Sequence, residues 1–172
     1  MMIRREPDKV SLHNDAAVMY DELGLYDQAA RHFADVVRLQ PSSAPAQCNL
    51  ATALLSSGDS VSAIDHYRIA LTLHPHYARA EFGLGRALLA TGNPVDALPH
   101  LSEATRLTSE SDAGVLDVLA AAHAALGQFE QAVRLCDRAL ALRPGSALAA
   151  AIEQRRSLYL LRKSDTGFRP PR

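Results

Sequence analysis

Gly24, Gly58, Gly92 and Gly127 stand 34, 34 and 35 residues apart, and five positions after each lies an alanine: Ala29, Ala63, Ala97 and Ala132. Nine residues past each glycine comes a large or soft side chain (Phe33, Tyr67, Leu101, Cys136), and twelve past it a small apolar one (Val36, Ala70, Ala104, Ala139). Three copies add a proline seventeen past the glycine, Pro41, Pro75 and Pro144. A period in this range belongs to stacked supersecondary units, none of which buries its apolar face alone.

The residues upstream complete the unit. Ala16-Ala17, Leu50-Ala51, Leu84-Gly85 and Leu119-Ala120 precede the glycines by eight and seven positions, and Tyr20, Leu54, Leu88 and His123 by four. These offsets follow the helical period of 3.6, so a first helix ends at each glycine, which closes it in a left-handed conformation. A second helix then begins, with Asp59-Ser60 and Asn93-Pro94 as cap and first-turn residues, and stops ahead of the proline. Each unit is a helical hairpin, and the small residues let its two helices cross closely.

Taken over all four copies, these residues resemble the tetratricopeptide repeat family. Units 10–43, 44–77, 78–111 and 113–146 are preceded by an extension, 1–9, and followed by a capping helix, 147–163, and a flexible tail, 164–172. Position four of the unit reads His13, Gln47, Glu81 and Leu116, never the family's Trp, and only Gly85 keeps the glycine at position eight. The resemblance implies an all-helical fold, a right-handed superhelix of helix-turn-helix repeats. The close of the chain, through Tyr159 to Gly167-Phe168-Arg169-Pro170, looks like the C-terminal end of bacterial proteins of this family. It implies that Arg172 is a natural C-terminus, whereas no comparable cap precedes Val10 and Met1 reads as the start of a fragment.

Composition agrees: 48% hydrophobic residues with 5% aromatic suits alanine-rich helix packing. A formal net charge of −1 lacks the basic footprint of a nucleic-acid binder. The basic residues from Arg155 to Arg172 leave two readings, a solvated cap with a frayed tail or a contact with nucleic acid or acidic lipid. No apolar stretch follows Met1-Met2-Ile3-Arg4-Arg5, so no signal peptide is expected. The run from Ala113 to Leu126, broken by Asp117 and His123, falls short of the roughly 20 residues of a membrane span. A cytoplasmic protein is expected.

Enzyme signatures are missing. Gly83-Leu84-Gly85 lies inside a helix without a preceding strand, and no phosphate loop, nucleophile elbow or zinc-protease His pair occurs. Neither catalysis nor a cofactor is expected. His32, His66 and His100 recur at position twenty-three of three second helices, too far apart to close on one metal ion, and read as a helix-surface choice. Cys48 and Cys136, two units apart, cannot form a disulfide. Cys136 takes a core position, whereas Cys48 faces the inner surface, within reach of a ligand and most simply inert.

In the family, first helices line a concave groove, and carry-over by position gives Asn14, Val18, Asp21 and Glu22 in the first unit and Cys48, Asn49, Thr52 and Ser56 in the second. The third gives Arg79, Phe82, Arg86 and Leu89, and the fourth Asp117, Ala121, Ala124 and Ala125. Arg79, Phe82 and Arg86 share one helix face, where two guanidinium forks flank a ring suited to an apolar neighbour. This face reads either as ordinary surface decoration or as the seat of a protein or peptide partner with an acidic group or C-terminal carboxylate. The family's carboxylate-clamp subset is matched at Asn49 and Arg79 and not at Asn14, Val18 and Gly83. The expected function is a non-catalytic interaction scaffold. The alternatives are a regulatory or substrate-guiding module of a larger bacterial enzyme, for instance of glycosyltransferase type, and self-association through the first repeat. Pro99 removes a hydrogen bond to Val95 and predicts a bend in the second helix of the third unit.

Overall fold

The computed structural model describes residues 9–167, which form nine α-helices and no strand. They are α1 (Lys9–Glu22), α2 (Tyr26–Leu39), α3 (Ala44–Ser57), α4 (Ser60–Leu73), α5 (Ala78–Ala90), α6 (Pro94–Leu107), α7 (Ala113–Ala125), α8 (Phe129–Ala141) and α9 (Ser146–Gly167). Two compact units divide them within α5, at Ala87 and Leu88. Residues 1–8 of the expected extension and 168–172 of the expected tail lie outside the described residues. Helix α9 continues four residues beyond Lys163, to Gly167.

Each repeat glycine does what its position requires. Gly24, Gly58, Gly92 and Gly127 have φ of 71°, 96°, 77° and 73°, a region where a Cβ costs about 1–2 kcal/mol. Behind Gly58, its amide and that of Asp59 donate to the carbonyls of Leu55 and Leu54 and close α3. Asp59 then caps α4 by accepting from the amide of Ser62 at 3.1 Å. Asn93 opens α6 differently. Its side-chain amide donates to the Thr91 carbonyl and hydroxyl at 3.1 and 3.0 Å, leaving the first turn without a side-chain cap. Two caps absent from the sequence reading take over elsewhere, Ser43 on α3 and Asp112 on α7.

In the first unit, α2 packs on α1 and α3, and α4 on α3. Ala17, Ala29, Ala30, Phe33, Leu50 and Ala53 form its core, flanked by Tyr20, Val37 and Leu54. In the second, α7 packs on α6 and α8, and α9 closes over α7 and α8. Ala29, Ala63, Ala97 and Ala132 are all fully buried, as are Ala70, Ala104 and Ala139. A methyl group is what the helix crossing accommodates, so larger residues there would overpack.

Helix α6 stays helical on both sides of Pro99. The carbonyl deprived of its partner belongs to Val95, whose residue is 67% exposed, so water can replace the missing amide. The extra residue before the fourth repeat is absorbed at Ser109 and Glu110, which adopt φ of 51° and 58°. Glu110 then pairs with Arg138 of α8. No helix among the described residues is long and apolar enough to cross a membrane.

Candidate functional site

Helix α5 begins as Ala78-Arg79-Ala80-Glu81-Phe82-Gly83-Leu84-Gly85-Arg86. Ala80, Gly83, Leu84 and Ala87 turn inward and are buried, which leaves Arg79 and Arg86 exposed and Phe82 half-buried between them. The Arg86 guanidinium carbon sits 5.6 Å from the centroid of the Phe82 ring, a cation-π contact that holds the fork over the ring. Arg38, Arg106, Arg138 and Arg155 are each committed to a carboxylate. Among the described residues, neither Arg79 nor Arg86 is.

Behind this face, Tyr67 of α4 reaches through to α3. The Thr52 hydroxyl donates to the Cys48 carbonyl at 2.8 Å, and its oxygen lies 3.1 Å from the Tyr67 hydroxyl. With the Thr52 proton already used, the phenol is the donor in that pair. Burial pushes the phenol pKa up, opposed by the positive charges of Arg86 and Arg79. Gly83 gives the ring its room, since a Cβ there would come within 2.2 Å of Tyr67 Cζ. The position where clamp proteins carry a second basic residue is thus occupied by a phenol from the preceding repeat.

Two of the expected groove residues are not accessible. Cys48 is fully buried, with burial raising its thiol pKa against the charge of Arg79. Nothing of the thiol is left at the surface, so the expectation that a ligand reaches it is corrected. Asp117 is only 7% exposed and forms a two-pronged ion pair with Arg155 of α9. The closing helix therefore occupies the surface expected of the fourth first-helix. On α3, Asn49 and Thr52 are half-buried, and on α1 Asn14 is half-buried and Val18 is exposed.

The histidine row is also more than surface decoration. His32 Nδ1 lies 3.1 Å from His13 Nδ1, and His66 Nδ1 lies 2.7 Å from Gln47 Oε1. Both rings are half-buried, and burial lowers the pKa of His66 against the charges of Asp65 and Asp59. In the first two hairpins, repeat position twenty-three on the second helix thus meets repeat position four on the first. In the fourth repeat the same two positions hold Leu116 and Leu135, both buried. The signal was present in the sequence: the two columns are polar in the same copies and apolar in the same copy.

A concavity of about 450 Å³ lies between α2, α3 and α4, where Asp27, Arg31, Leu54, Asp59 and His66 are among its lining residues. None of the α5 residues contributes to it.

Family models described as tetratricopeptide repeat match residues 14–78, 48–112 and 113–146. Among solved structures, residues 41 to the end of MamA from Desulfovibrio magneticus RS-1 superpose with a TM-score of 0.80 at 22% identity, over 94% of this chain and 89% of that one. TTC0263, a thermophilic protein of the same repeat class from Thermus thermophilus, gives 0.72 at 21% identity, over 90% and 82%. YrrB, described as having an unusual peptide-binding site, gives 0.70 at 20% identity, over 84% and 74%. At these identities the likeness is one of fold. No curated protein matches the chain.

Proposed function

Because the chain belongs to the tetratricopeptide repeat family, we propose that it is a non-catalytic interaction scaffold that binds an extended peptide on the Arg79-Phe82-Arg86 face of α5. The observation that carries this reading is the pair of guanidiniums on one helix face without carboxylate partners among the described residues, one of them stacked on a half-buried ring. A solvated arginine gains little from such placement, whereas two forks three to four residues either side of an aromatic ring match a carboxylate beside an apolar side chain. The ligand is an acidic peptide, either with an internal Asp or Glu or with a free C-terminal carboxylate. Asn49 on α3 supplies a further polar group for its backbone, with Asn14 and Val18 on α1 extending the surface.

The test is a partner capture with the wild-type chain and with the Arg79→Ala/Arg86→Ala variant. Partners retained by the wild type and lost by the variant support the proposal, and identical sets for both overturn it. Peptides with free and amidated C-termini then separate a terminal carboxylate from an internal acidic side chain.

A further inference from the structure

The first hairpin brings three metal-ligating side chains to one point. His13 is carried by α1, and His32 and Asp35, three residues apart on α2, share the face that meets it. The two imidazole Nδ1 atoms are 3.1 Å apart, and Asp35 Oδ2 is 3.5 Å from His13 Nδ1. All three ligand atoms lie within 4.8 Å of one another. In a tetrahedral site with bonds of about 2.0–2.1 Å, neighbouring ligand atoms are separated by about 3.3–3.4 Å. The two measured separations fall on either side of that edge, and rotation of the carboxylate can close the third.

We propose that His13, His32 and Asp35 form a three-ligand site for zinc. Two imidazoles and a carboxylate are a borderline donor set, suited to zinc and its neighbours rather than to magnesium or calcium. Without a metal, the facing Nδ1 atoms need a shared proton, because two lone pairs or two N–H groups at 3.1 Å repel. A divalent cation satisfies both lone pairs and the carboxylate together. The surroundings orient the ligands, as outer partners do in metal centres. Arg38 donates to Asp35 Oδ1 at 2.9 Å, leaving Oδ2 for the ion, and the Tyr20 ring stacks on His32 with centroids 5.4 Å apart and planes inclined by 10°. The His13 and Asp35 side chains are 29% and 38% exposed, so the fourth position opens to solvent and takes water.

The full chain, stripped of metal with a chelator, is titrated with zinc chloride alone in a non-coordinating buffer. One equivalent is expected to bind, and Tm to rise by about 5–10 °C at a free zinc concentration near 100 times Kd. His13→Gln and His32→Gln lower the affinity at least tenfold, whereas a His74→Gln/His76→Gln variant, altered at the exposed turn after α4, binds as the wild type does. Should either imidazole variant melt early without zinc, Asp35→Asn keeps the shape, removes the anionic ligand and is expected to weaken binding in the same direction. Cobalt(II) gives a second reading, an intense tetrahedral visible band in the wild type that Asp35→Asn loses. Failure to bind zinc, or equal affinity in wild type and ligand variants, overturns the site and leaves the imidazole pair as a simple hydrogen bond.

Discussion

The phenol of Tyr67 stands where a side chain on Gly83 would begin, with Tyr67 Cζ 2.2 Å from the place of a Cβ. Tyr67 is 2% exposed and cannot swing into solvent, and its hydroxyl is tied to Thr52. Gly83→Ala should therefore destabilise the chain by about 2–3 kcal/mol through overpacking. In the Tyr67→Leu background the same substitution should cost less than half as much. Urea unfolding of the four chains closes the cycle, and equal costs in both backgrounds would remove the contact as the cause.

Under the proposed function, removing both guanidiniums from α5 would take away the two charge-assisted contacts to the ligand. Arg79→Ala/Arg86→Ala should weaken an acidic peptide by at least tenfold, on the scale of about 1.5–3 kcal/mol for a hydrogen bond to a charged group. Fluorescence anisotropy at rising salt gives the check: wild-type affinity falls with ionic strength and variant affinity stays nearly flat.

Arg155 holds α9 to α7 through Asp117, which is almost fully covered. Arg155→Ala leaves that carboxylate without its partner, and a loss of about 2–4 kcal/mol is expected. Hydrogen exchange should quicken along α9, with α1 to α4 protected as before.

The thiol pKa of Cys136 is pushed up to about 11, first by burial and then by the negative charge of Asp117, with Arg155 opposing. An acid whose pKa is raised by folding loses its proton first in the unfolded chain. Its contribution to stability is complete below about 9 and falls as pH climbs from about 9 to about 11. Comparing Cys136→Ala with wild type across that range should show the wild type losing more, by up to about 1.4 kcal/mol per pH unit. Thiol reagents at about pH 8, below the ordinary thiol pKa, should label neither cysteine until the chain unfolds.

The fold was legible because its determinants are local. A left-handed residue at Gly58 and a methyl-sized crossing at Ala63 follow from backbone sterics and helix spacing, which a periodic sequence displays directly. The accessibility of the expected groove residues was legible only in part. Helix-face arithmetic places Cys48 and Asp117 with Asn49 and Arg79, yet it does not count what the following elements lay over them. Cys48 ends fully buried, and Arg155 reaches Asp117 from 38 positions away. The caps at Ser43 and Asp112 were missed for a milder reason, since either residue is equally at home in a turn.

The matched polarity at positions four and twenty-three sets the scale at which this chain is modular. A first helix carrying Leu116, joined to a second helix carrying His66, would bury an imidazole against a leucine, and the reverse exchange would strand Gln47 beside Leu135. Whole hairpins can be copied, moved or inserted without that mismatch, whereas a single helix cannot be exchanged between the fourth hairpin and a polar one. The interchangeable piece in this array, for recombination or for engineering, is the helix pair with its own matched contact, polar or apolar.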